Sequence, residues 1–154
     1  MEKKEKRKET ASPAKRISYF IDTNIIIYAS GSPHPFKKPC LKLLSSVAAG
    51  KTRAAVSVEV IQELLHYYTS VNRQTTMGIE LARETMEIFH PVLPVMEEDM
   101  RLAVHLAEIY PHISSRYCVH AAVALNNGIG RIISTDRDFD AVREIARSEP
   151  SAFA

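Results

Sequence analysis

The sequence predicts an α/β domain built on a mainly parallel sheet whose two faces are both covered by helices. Three observations carry this prediction. Short apolar runs alternate along the chain with longer stretches of helical periodicity. The 154 residues, 45% of them hydrophobic, suit one domain with a core that needs no disulfide or metal staple. Four of the five aspartates, Asp22, Asp136, Asp138 and Asp140, fall at or just after the C-terminal ends of predicted strands, the edge where open parallel sheets bind ligands.

The first strand is the apolar and aromatic run Ile17 to Ile21, which stops at Asp22 as a buried strand does on emerging from a sheet. Asn24 to Ala29 suits a short helix, broken by the Gly31-Ser32-Pro33-His34-Pro35 cluster. Phe36 to Ala49 places Cys40, Leu43, Leu44 and Val47 at helical spacing, with Gly50 where a C-terminal glycine belongs. The small, β-branched run within Arg53 to Val58 is a second strand, and Ser57 can cap a helix reaching about Val71. On that helix Val58, Ile61, Leu64, Leu65 and Tyr68 form an apolar stripe, which leaves Glu59, Gln62, Glu63 and His66 on the solvated side.

A further helix over Thr75 to Phe89 leads to Pro91 to Val95, read as a third strand whose prolines suit an edge. Two more helices, Glu97 to Tyr110 and Ser115 to Asn127, are separated at Pro111 and closed by Asn126-Asn127-Gly128. Arg131 to Ser134 is the last predicted strand, ending at Thr135-Asp136.

Charge and cysteine usage exclude several function classes. Cys40 and Cys118 match no metal or redox spacing and read as small buried residues of a reducing compartment. No apolar run reaches the roughly 18 to 20 residues of a membrane span, and charges fill the N-terminus where a signal peptide needs an apolar stretch. The expectation is a soluble, cytoplasmic protein without membrane contact. Residues 1–16 hold seven Lys/Arg against three Glu, leaving thirteen Lys/Arg against fifteen Asp/Glu in residues 17–154. This basic stretch has no apolar periodicity and reads as a solvated, disordered tail outside the domain, with an RNA-binding arm as its alternative.

Carboxylates gathered at one sheet edge repel one another, and a divalent cation that prefers oxygen ligands is the usual means of holding them together. Spacing alone leaves two readings of each acid. Asp22 can be a metal ligand or the N-cap of the short helix that follows it. Asp136, Asp138 and Asp140 in STDRDFD can be ligands or ordinary turn acids. Periodicity gives Glu63 to the solvent.

Three blocks together, YFIDTN at Tyr19 to Asn24, SVEVIQELLHYY at Ser57 to Tyr68 and HAAVALNNGIGRIISTDRDFDAV at His120 to Val142, resemble the PIN-domain family. The likeness is greatest to its VapC-like branch, the toxin ribonucleases of toxin–antitoxin modules, and spans about residues 17–150. The resemblance implies a three-layer α/β/α fold and a Mg²⁺- or Mn²⁺-dependent endoribonuclease that hydrolyses RNA phosphodiester bonds. Carried over by motif, Asp22, Glu63 and Asp136 are the catalytic and metal-binding acids, Asp138 is an auxiliary ligand, and Thr135 positions a ligand or water. The family also implies a small antitoxin partner and a homodimer.

One position departs from the pattern. Where family members carry a third carboxylate three residues before the histidine of the last block, this chain carries Tyr117. A phenol is neutral at physiological pH and a poor ligand for Mg²⁺. Tyr117 therefore favours, as the alternative, a catalytically weakened PIN domain that binds RNA or protein. His120 reads as a packed or hydrogen-bonded helix histidine, since imidazole suits softer metals. Arg53, Arg116, Arg131 and Arg137 stand near the motif blocks as candidate cations for RNA phosphates. A phosphoacceptor receiver domain also places acids at strand ends, but no lysine follows Lys51 to contact a phosphoryl group.

Overall fold

The computed structural model describes residues 16–153. The basic stretch at residues 1–16 therefore lies, but for Arg16, outside the described residues. The central sheet has four strands, β1 (Tyr19–Ile21), β2 (Ala54–Ala55), β3 (Arg131–Ile133) and β4 (Ala146–Ser148), in the order β2-β1-β3-β4. All three pairings are parallel. Successive side chains of a strand point to opposite faces, and the neighbours Phe20 and Ile21 are both buried, as are Ile132 and Ile133. Both faces of the central pair are therefore covered, the condition under which parallel sheets are stable.

Six helices supply the cover: α1 (Thr23–Ser30), α2 (Lys37–Ala48), α3 (Val58–His66), α4 (Thr75–Ile88), α5 (Glu97–Ile109) and α6 (Ser115–Asn126). Helices α1 and α2, α3 and α4, and α1 and α3 pack together, while α5 packs along α6. The last turn after α3, Tyr67–Val71, is a π-helix, so this helix ends where the sequence expected it to. Both cysteines are free and buried, and no described helix is long and apolar enough to cross a membrane.

Two sheet predictions need correction. Residues 91–95 do not form a strand: Leu93 alone makes a parallel bridge to Ser57, accepting from Val58 N–H and donating to Val56 O, both at 2.9 Å. The prolines on either side, Pro91 and Pro94, lack the N–H groups that would extend the pairing. Strand β4 went unread because Ala146-Arg147-Ser148 has no apolar run; it is an outer strand held by its register with Arg131 to Ile133.

The strand order places the functional crevice. From β1 the chain moves outward to β2, then returns to add β3 on the other side of β1. Between β1 and β3 the connections diverge, and ligands of open α/β sheets bind beyond the strand ends at such a switch point. Asp22 follows β1 and Ser134 follows β3 at this place, with Asp22 N–H donating to Ile133 O at 3.1 Å.

Candidate active site

Asp22 occupies the N-cap position of α1, yet its carboxylate makes no capping bond. It turns instead toward β3, where Ser134 Oγ–H donates to Asp22 Oδ2 at 2.6 Å. The Ser134 hydroxyl in turn accepts from Asn24 Nδ2 at 3.1 Å and from Asp136 N–H at 3.0 Å. Between the two readings that spacing left open, the geometry favours a site carboxylate over a helix cap. The side chain is only 2% exposed. Burial pushes its pKa above the ordinary value, although His120 and the Ser134 hydrogen bond pull the other way.

Glu63 corrects the periodicity reading. It is 9% exposed, whereas Val58, assigned to the apolar stripe, is 47% exposed. Helix α3 is packed by α1 and α4, so more of its circumference is covered than a single core-facing stripe provides, and Glu63 points into the crevice. Thr23 Oγ1–H donates to Glu63 Oε2 at 2.6 Å, while Glu63 Oε1 is buried without a hydrogen-bond partner. Burial raises the Glu63 pKa, but the hydrogen bonds and charge of His120, with Thr23 and Arg116, outweigh it and hold the carboxyl below its ordinary range.

His120, on α6 and fully buried, completes the cluster. Its Nε2 lies 3.3 Å from Glu63 Oε1 and 3.7 Å from Asp22 Oδ1. Ligand atoms of Asp22, Glu63 and His120 all fall within 4.8 Å of one another. Burial works against a charged imidazole, but the Glu63 hydrogen bond and the charges of Asp22, Glu63 and Glu59 prevail and raise its pKa. His120 thus stands between the two carboxylates as the basic group nearest to both.

The loop after β3 brings up Asp136. Its Oδ1 accepts from Asp138 N–H at 2.9 Å, starting a short 3₁₀ turn over Arg137–Ala141. Its Oδ2 accepts from the Tyr117 hydroxyl. Tyr117 stacks at 4.7 Å on Phe139 of that turn, and burial, then Asp136, Asp22 and Asp138, push its phenol well above its ordinary pKa. Arg147 of β4 secures the loop from behind. It donates through Nε and Nη2 to both oxygens of Asp140, at 2.7 and 3.0 Å, and through Nη1 to Ser134 O at 3.1 Å. An open cleft of about 450 Å³ runs over the site, lined among others by Asp22, Glu63, Tyr67, Arg116 and Tyr117.

A sequence model of the PIN domain matches residues 19–145. The chain belongs to the PIN-domain family. Among curated relatives, the VapC ribonuclease Mb1869c of Mycobacterium bovis is 33% identical over 128 residues, covering 82% of this chain and 96% of the relative. Among solved structures, VapBC2 from Rickettsia felis bound to a DNA fragment from their promoter superposes with a TM-score of 0.68 at 15% identity. That match covers 86% of this chain and 98% of the other. A toxin–antitoxin complex from Klebsiella pneumoniae gives a TM-score of 0.62 at 18% identity, over 86% and 98% of the two chains. At these identities the structural likeness concerns the three-layer fold, which is that of PIN proteins.

Of the residues expected from the PIN motifs, Asp22 and Glu63 come together directly, although 40 positions separate Glu63 from its Thr23 partner. Asp136 adjoins them through Ser134, with both its oxygens already accepting hydrogen bonds. Asp138 is exposed and touches Asp136 through its backbone. Thr135 donates its backbone N–H to Asn24 Oδ1 at 3.4 Å; the hydroxyl that meets the cluster is that of Ser134, one residue earlier. Tyr117 lines the cleft and donates its hydroxyl to Asp136. His120 is hydrogen-bonded as read, but its bond is to the acids themselves. Of the candidate cations, Arg116 lines the cleft, 4.0 Å from Glu63 Oε1. Arg147 was missed because nothing in its local sequence marks a residue that acts across the sheet.

The donor set fits a divalent cation. Two carboxylates sit close together, Glu63 Oε1 lacks a donor, and hard oxygen ligands of this kind match Mg²⁺-like ions. Among the described residues, Asp22, Glu63 and His120 cluster closely enough to meet one ion, and of these the two carboxylates supply the oxygen ligands such an ion prefers.

Proposed function

We infer that this chain is a metal-dependent endoribonuclease, the toxin of a toxin–antitoxin pair, and that its ion is Mg²⁺ or Mn²⁺. The observation that carries the reading is the meeting of Asp22 and Glu63 at the β1–β3 switch point, with oxygens within 4.8 Å and one of them undonated. The ribonuclease name of a relative at 33% identity across 82% of the chain supports the same conclusion.

Asp22 and Glu63 are the residues that hold the ion, and Asp136, with Asp138 at its rim, contributes from the outer edge. An ion held there would supply Lewis-acid chemistry, lowering the pKa of water and stabilising charge on the scissile phosphate. The protein's own groups do the rest. Ser134 and Thr23 each donate to one carboxylate and fix its rotamer, which leaves Asp22 Oδ1 and Glu63 Oε1 turned toward each other beside His120. Arg116 supplies a cation at the rim, where a phosphate must approach an acidic crevice. Thr135 anchors the loop through its backbone, so that Asp136 keeps its place. The antitoxin is a small protein that covers this cleft; the fold shared with toxin–antitoxin complexes supports such a partner.

Cleavage of RNA by the purified protein, assayed with Mg²⁺, Mn²⁺ or chelator, tests this directly. Metal-dependent cleavage is expected, and its loss in Asp22→Asn and Glu63→Gln. A second reading rests on one contact, the Tyr117 hydroxyl on Asp136, which takes up one of the two oxygens Asp136 could offer an ion. RNA binding without cleavage at any metal concentration would establish that weakened form and overturn the nuclease.

A further inference from the structure

A second cleft, of about 510 Å³, opens beside the acidic one and shares Ile27 and Tyr67 with it. We propose that it is a subsite for one unpaired nucleobase of the RNA, next to the scissile phosphate in the acidic cleft. The proposal deepens the ribonuclease reading and rests on it.

The lining argues for this occupant. Aromatic rings come from two separate segments: Tyr28 and His34 from the end of α1 and the turn after it, Tyr67 and Tyr68 from the π-helical turn after α3. Tyr28 and His34 stack on one another with centroids 4.4 Å apart and planes tilted by 32°, so they form a two-ring unit to which a base can add as a further layer. Unpaired bases bind proteins chiefly by stacking on such side chains. Around the rings stand side-chain amides, Asn72 and Gln74, which can donate to and accept from a base edge. Among the described residues, no Asp, Glu, Lys or Arg lines the cleft, and Lys37 meets its edge through Nζ, which donates to Gly31 O at 2.6 Å. The lining side chains are thus uncharged beside an acidic site, which suits a base joined to a charged phosphate.

The backbone is shaped for the purpose. π-Helical turns concentrate at functional sites, and this one carries consecutive tyrosines, of which the half-buried Tyr67 forms the wall and the buried Tyr68 backs it. Helix α4 braces it through Gly78, where an added Cβ would come 2.6 Å from Tyr68 Cβ; only glycine lets the helix approach so near.

The test uses the full chain carrying Asp22→Asn, so that RNA binding is read without turnover. The probe is a fluorescein-labelled 12-nucleotide single-stranded RNA of mixed sequence, with its fully paired duplex for comparison. His34 is exposed and Tyr28 half-buried, so His34→Ala and Tyr28→Leu should fold. Each is expected to weaken single-strand binding by about ten-fold, the usual effect of losing one stacked base, and to leave the weaker duplex binding unchanged. Replacing the platform conservatively by Tyr28→Phe should retain most of the affinity. Equal single-strand binding by His34→Ala, Tyr28→Leu and the parent would overturn the subsite. So would equal losses on single strand and duplex, which mark a general surface effect. Either result is independent of whether the wild-type chain cleaves RNA, which is measured separately.

Discussion

Replacing Asp22 by Asn should stabilise the metal-free protein while abolishing its response to metal. The magnitudes follow from the cluster. The Asp22 charge stands 3.7 Å from His120 Nε2 and no more than 4.8 Å from a Glu63 oxygen. At an effective dielectric near 20 these give about 4.5 kcal/mol of attraction and about 3.5 kcal/mol of repulsion, which nearly cancel. Burying the carboxylate costs about 4 kcal/mol after relaxation, and its charged hydrogen bond from Ser134 returns about 1 kcal/mol more than a neutral amide would. The balance is about 2 kcal/mol against ionised Asp22, the direction its raised pKa also indicates. For a chain of this length that is a gain of roughly 6 °C in Tm. Thermal melts in chelator should show it. Adding Mn²⁺ at 100 times its Kd should raise the wild-type midpoint, since such ligation is worth about 2.7 kcal/mol, and leave Asp22→Asn unmoved. A metal-free Asp22→Asn protein several degrees less stable than wild type would refute this reasoning and make Asp22 a structural residue.

Three further outcomes follow. Tyr117→Phe removes only the hydroxyl on Asp136; it should cost about 1–2 kcal/mol in melts yet tighten metal binding by calorimetry, whereas unchanged affinity would detach Tyr117 from the site. Stability without metal should peak in mildly acidic solution. The raised His120 pKa gives stability that is complete below its ordinary 6.5 and lost as pH climbs through the elevated value; the lowered Glu63 pKa gives stability complete above 4.5 and lost as pH falls through the depressed value. Melts in chelator across pH 5 to 8 check this, and a midpoint that rises steadily toward pH 8 contradicts it. Arg147→Lys cannot keep the paired bonds to Asp140 together with that to Ser134 O; the loop should loosen, costing about 1 kcal/mol given Asp140's exposure and weakening metal binding. A variant with wild-type metal affinity would free Arg147 of any part in placing Asp136.

The parallel sheet, the six helices within a residue or two, α3 counted with its π-helical last turn, and the edge that carries the acids were legible because they depend on local apolar periodicity and on where a strand stops. What escaped depends on distance in space. Glu63 looked solvated because periodicity reports one face of a helix, while α3 is covered by α1 and α4 together. His120 looked like a packing residue because nothing in SRYCVHAA announces that its ring meets acids 57 and 98 positions earlier. Strand β4, Ala146-Arg147-Ser148, carries no apolar signal, since an outer strand is specified by its neighbour. The motif blocks supplied Asp22 and Glu63 as partners where spacing alone could not.

The most direct measurement is the anomalous scattering of a crystal soaked in Mn²⁺ above pH 7. One peak is expected beyond the ends of β1 and β3, within direct ligand distance of Asp22 Oδ1 and Glu63 Oε1. No peak at saturating Mn²⁺, or one held by Asp138 and Asp140 on the outer turn with Asp22 and Glu63 uninvolved, would contradict the assignment of this crevice as the metal site.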